Sequence, residues 1–163
     1  MEVKKLNKNF YLNFLIVLFI FLIDRISKLY VIHKDKLNFN SEIYSSKFLN
    51  IHLIWNEGIA FGLFSFNEDY LYNFLTFLIF IVIIFIVFMI RKSDPVRKYA
   101  LLLVLGGALG NFFDRLTYKA VPDFIDFHVG NFHWFIFNVS DIFITFGIVG
   151  MIFMEIFSKN KRA

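Results

Sequence analysis

The chain has 163 residues, 58% of them hydrophobic and only 18% charged, where a soluble domain carries about a quarter charged residues. Lipid is therefore the expected solvent, and the absence of cysteine excludes disulfides, thiolate catalysis and Cys-ligated zinc or iron–sulfur sites. A net charge of +4 on residues that flank apolar runs, without a basic stripe interleaved with stacking rings, argues against nucleic acid, and the 25 phenylalanines read as lipid-facing surface.

Lys4, Lys5 and Lys8 precede an apolar run from Phe10 to Ile23 that continues through Asp24, Arg25 and Lys28 to about Ile32. No small-residue cleavage site follows it, so the run predicts an uncleaved membrane span and not a removed leader. Asp24 and Lys28 stand at i, i+4 on one helix face, where they can pair. The simplest role is an ion pair locking this helix to its neighbours, with a direct catalytic role for Asp24 as the alternative.

Residues 33 to 69 are polar and contain no span. Alternation over Lys47–Trp55 predicts a strand. The segment Asn56-Glu57-Gly58-Ile59-Ala60-Phe61-Gly62 then reads as a turn, with Phe61, Leu63, Phe64 and Phe66 dipping into the membrane interface. Further spans are expected over about 70–90, 99–116 and 141–157, joined by a basic connector at Arg91–Lys98 and by a second outer loop at 117–136.

Ten lysines and arginines fall at the N-terminus, the connector and the C-terminus, against four in the two opposite loops. Both termini are therefore expected on the cytoplasmic side, with residues 33–69 and 117–136 outside. That topology brings Asp24, Lys28, Asn56, Asn111, Asp114, Arg115, Asp123 and Asp141 to one depth, the outer boundary of the bilayer. Polar groups at such a depth mark a functional site by default.

Without cysteine or a GxSxG elbow, nucleophile–base catalysis is poorly supported. Asp123, Asp126, His128, His133 and Asp141 include metal-ligand types but lack a strict spacing, so no metal or cofactor is expected. Two aspartates sharing a proton remain, one drawing a proton from water and the other polarising an amide carbonyl. Asp141 at the start of the last span and Asp123 in the loop after Pro122 form one pair, and Asp126 competes with Asp123. Asn138 and Asp141 equally fit a helix N-cap with an acid in the first turn. Asp114 expects Arg115 and Lys28 as ion-pair partners, and Gly106 with Gly110 forms a GxxxG packing face.

In family order, the Asp24–Lys28 segment, Asn56-Glu57-Gly58-Ile59-Ala60-Phe61-Gly62, GGALGNFFDR at 106–115, VPDFID at 121–126 and FNVSD at 137–141 resemble the lipoprotein signal peptidases, or signal peptidase II, aspartic proteases of the bacterial inner membrane. The resemblance covers nearly the whole chain. It implies one mainly α membrane peptidase domain, 1–163, with four transmembrane helices, a small periplasmic β-rich cradle and an interfacial helix. It also implies Asp123 and Asp141 as catalytic dyad, with Asn56, Gly58, Asn111, Arg115 and Asn138 lining the site and Asp24, Lys28 and Asp114 supporting it. The implied reaction removes signal peptides from diacylglyceryl-modified prolipoproteins just before the lipidated cysteine, with membrane lipids as the surroundings and a monomer as the working unit. Ser140 stands where alanine is usual, offering a hydrogen bond to Asp141; Arg25 and Pro122 also depart from the commonest residues. The alternatives are a proton-coupled transporter using Asp24, Asp114 and Asp141, a metallopeptidase, and a purely structural membrane protein.

Overall fold

A computed structural model describes residues 2–37, 42–58 and 69–159. Its elements run α1 (Glu2–Leu37), β1 (Tyr44–Ser45), β2 (Leu49–Asn56), α2 (Asp69–Lys92), α3 (Pro95–Tyr118), β3 (Val121–Val129), β4 (Phe132–Phe137) and α4 (Val139–Lys159). The aromatic residues expected to dip into the interface, Phe61 to Phe66, lie outside the described residues, as does any interfacial helix there.

The helices follow from long apolar runs ended by polar signals. Asp94 caps α3 by accepting from the Val96 and Arg97 amides, both at 3.1 Å, and Pro95 takes the first helical position, where a missing N–H costs nothing. This cap starts α3 four residues before the expected boundary. The helix stops at Lys119, whose φ of 55° is left-handed. Among the described residues, three helical segments are long and apolar enough to cross a membrane: Tyr72–Lys92, Pro95–Tyr118 and Val139–Phe157.

Helix α3 packs against the other three helices. Its Leu101, Val104 and Leu105 meet Ile83 and Ile86 of α2 in a buried cluster. Close approach on its other sides is set by glycine. A Cβ on Gly106 would press into Ile20 of α1, and one on Gly107 would overlap the Ser140 carbonyl of α4. The GxxxG face is thus a packing face, as expected. Outward faces of α2 and α4 expose Phe77, Phe85, Phe146 and Phe153, surface that suits hydrocarbon and not water.

One antiparallel sheet of order β1-β2-β3-β4 covers one end of the bundle. The strand predicted over Lys47–Trp55 is β2. Asp123, expected in a loop, lies on β3, where Ile54 faces Asp123 and Trp55 faces Pro122. Pro122 is tolerated because β3 pairs with β4 only from Ile125 onward, leaving the start of the strand open on that side.

Candidate active site

Four elements deliver polar side chains to one cleft of about 220 Å³. Strand β2 brings Asn56, α3 brings Asn111 and Arg115, β3 brings Asp123, and the β4–α4 junction brings Asn138 and Asp141. Local sequence dictates the last two. Asp141 Nα–H donates to Asn138 Oδ1 at 3.2 Å, and Asn138 N–H donates back to Asp141 Oδ2 at 3.1 Å, the reciprocal box that opens a helix. The capping role and a role in the cleft are therefore compatible, because the other ends of both side chains point into the cavity.

Each of the four carboxylate oxygens of Asp123 and Asp141 accepts one N–H. Asn56 Nδ2 donates to Asp123 Oδ2 at 2.8 Å and Asn138 Nδ2 to Asp123 Oδ1 at 2.6 Å. Asn111 Nδ2 donates to Asp141 Oδ1 at 2.8 Å, and Asp141 Oδ2 holds the Asn138 amide already described. The asparagine carbonyls face away from the carboxylates: that of Asn56 accepts from the Gly58 N–H, that of Asn138 from the Asp141 N–H, and that of Asn111 from Lys28 Nζ. Burial and the neighbouring charge of Asp141 push the Asp123 carboxyl up to about 6, against the two asparagine donors, which lower it. The arrangement can hold one proton between two carboxylates and leaves lone pairs free to bind water.

Asp126 does not join them. It lies on the opposite side of β3 from Asp123 and faces His133, whose Nδ1 is 2.8 Å from Asp126 Oδ2. The geometry thus brings Asp141 together with Asp123 and not with its competitor.

Behind the cleft is a buried ionic network. Lys28 Nζ reaches Asp24 Oδ2 at 2.9 Å and Asp114 Oδ2 at 2.7 Å, so the pair expected from i, i+4 spacing forms and joins α1 to α3. Asp114 does not pair with Arg115 as expected. Its second partner is Arg25, with Nη2 at 2.6 Å, a long side chain that also reaches Asp24 and packs over the Phe113 ring. Arg25 is the participant that helical spacing overlooks; its only signal in the sequence is an arginine beside an aspartate inside an apolar run. Asp24 Oδ1 accepts the Ser140 N–H at 3.0 Å, tying α1 to α4. The Ser140 hydroxyl, expected to bond to Asp141, has no hydrogen-bond partner among the described residues.

Arg115 donates from Nη2 to the Gly58 carbonyl at 2.7 Å and so clamps the end of β2 against α3 while lining the cleft. Gly58 is buried, with both backbone groups engaged. A larger apolar cavity of about 510 Å³ opens beside Asp141, bounded by Phe48, Phe127, Phe137 and Phe146.

The family model described as signal peptidase (SPase) II matches residues 16–157. The lipoprotein signal peptidase of Pelagibacter ubique (strain HTCC1062) is 51% identical over 155 residues, covering 95% of this chain and 93% of that protein. That of Anaplasma phagocytophilum (strain HZ) is 36% identical, covering 85% and 88%. A bacterial membrane enzyme solved by the in meso method superposes with a TM-score of 0.77 at 26% identity, covering 93% of this chain and 91% of that one. A second, with a TM-score of 0.72 and 28% identity, covers 86% and 90%. Sequence, fold and the clustered polar residues agree, and the chain belongs to the signal peptidase II family of membrane peptidases.

Proposed function

We propose that this chain is an intramembrane aspartic endopeptidase that removes the signal peptide from diacylglyceryl-modified prolipoproteins, cleaving before the lipidated cysteine. The observation that carries the reading is the meeting of Asp123 and Asp141 in one cleft, every oxygen of both holding an N–H donor. In this mechanism the ionised carboxylate takes a proton from a water molecule, and the water oxygen attacks the scissile carbonyl carbon. The protonated carboxyl donates to the carbonyl oxygen; collapse of the tetrahedral intermediate expels the amine, which leaves with a proton from the pair. Burial and the second negative charge beside it raise the Asp123 carboxyl, which can therefore hold the proton before attack.

Helix α1 is read as a fourth span, both termini as cytoplasmic, and the sheet as lying at the periplasmic face of the inner membrane. The apolar cavity beside Asp141 supports this placement, because a lipid-modified substrate can enter it from the bilayer. A transporter reading finds no support in Asp24 and Asp114, which are fully buried and held by Lys28 and Arg25.

The test is incubation of the purified protein with a diacylglyceryl-modified precursor and with its unlipidated counterpart. Cleavage only of the lipidated form, unaffected by a strong chelator, is the expected result. Abolition by the chelator, restored by added metal, would transfer the chemistry to a metallopeptidase.

A further inference from the structure

Resting on the dyad reading above, we propose that Lys28 is a positioning residue for the hydrolysis: it holds the carbonyl of Asn111 and thereby obliges the Asn111 amide to present N–H, not oxygen, to Asp141. An ammonium has three donors and no acceptor. Those of Lys28 reach Asp24 Oδ2 at 2.9 Å, Asn111 Oδ1 at 2.8 Å and Asp114 Oδ2 at 2.7 Å, so its donor set is complete. The Lys28 side chain is 0% exposed.

Rotating the Asn111 amide by half a turn would set its NH₂ against the ammonium and its oxygen against Asp141 Oδ1. Both ends would then be repulsive in a buried setting, so the amide has one workable orientation. Asn56 and Asn138 are oriented by the same logic, but their anchors are the backbone N–H groups of Gly58 and Asp141. The anchor of Asn111 is a side chain from another helix, which a substitution can remove. The Lys28–Asn111–Asp141 chain thus runs from α1 through α3 to α4 and links the ionic network to the cleft. Helix α1 acts on Asp141 by a second route as well, since Asp24 holds the N–H of the preceding residue, Ser140.

Asn111→Asp separates this role from a packing role. The variant keeps an oxygen for Lys28 and an almost unchanged shape, but sets an acceptor against Asp141. In a steady-state cleavage assay on a diacylglyceryl-modified precursor peptide, kcat of N111D is expected to fall about 100-fold with little change in KM. The limbs of its pH profile are expected to move by about one unit or more, because the new carboxylate couples to the pair. Lys28→Met is expected to lower kcat comparably and, when added to Asn111→Leu, to cost clearly less than it does alone. Turnover of N111D near wild type, or fully multiplicative losses in the K28M/N111L double variant, would overturn the proposal. Should K28M fail to fold, N111D, which retains the lysine's partners, decides alone. Asp123→Asn in the same assay separates the two claims. If D123N turns over like wild type, the dyad reading has failed; if D123N is inactive while N111D is not, the Lys28 inference alone has failed.

Discussion

Burial and a neighbouring negative charge act on Asp123 in the same direction, so its proton is held up to about pH 6. The sign of the pH dependence follows from that shift. In the proposed mechanism, the protonated carboxyl that polarises the substrate carbonyl is present below this value and is lost as pH rises through it. In the free enzyme, kcat/KM is therefore expected to decline by up to about tenfold per unit above that point, and a profile flat across roughly pH 5 to 8 would contradict the assignment. Ser140 offers a contrasting case. Its hydroxyl is fully buried beside the site yet bonds to nothing among the described residues, while its backbone N–H carries the contact to Asp24. Ser140→Ala removes an unsatisfied polar atom and is expected to be neutral or stabilising by up to about 1 kcal/mol, read as the thermal midpoint in detergent. Marked destabilisation would mean that the hydroxyl has a partner.

At the scale of elements, α3 organises the site because its glycines let α1 and α4 approach it. A Cβ on Gly110 would overlap the Ser140 hydroxyl and Asp24 Oδ2, both buried and on different helices. Gly110→Ala is expected to destabilise by about 1–3 kcal/mol and to depress turnover further, since Asp24 and Ser140 set the start of α4; a variant with wild-type stability would show that the helices have room to separate. Much of this was legible in the sequence. Apolar runs announced the helices, i, i+4 spacing announced the Asp24–Lys28 pair, and Asn138 with Asp141 announced a cap. The strand carrying Asp123 was not legible, because Val121–Val129 puts a proline second and its partners, β2 and β4, include a segment more than sixty residues away. Arg25 was missed for a related reason: at i+1 from Asp24 it starts on a different helix face, and only its length brings it to Asp114.

For the whole molecule, the charge asymmetry and the clustering of polar residues at one end of the bundle argue for a single orientation in the bilayer. Because the chain has no cysteine, single-cysteine variants report it directly. Ser93→Cys in the connector between α2 and α3 is expected to be labelled only from the cytoplasmic side, and Asn131→Cys at the β3–β4 turn by an impermeant reagent from outside. The opposite pattern would place the cleft on the wrong face for a substrate exported across the membrane. The most direct measurement is turnover of a diacylglyceryl-modified precursor by purified wild-type protein and by its Asp123→Asn and Asp141→Asn variants, each shown to be folded by its thermal midpoint. Each substitution is expected to lower kcat by at least about 10³-fold, because neither carboxyl can do the other's work. Near-wild-type turnover by either variant would contradict a shared-proton pair at residues 123 and 141.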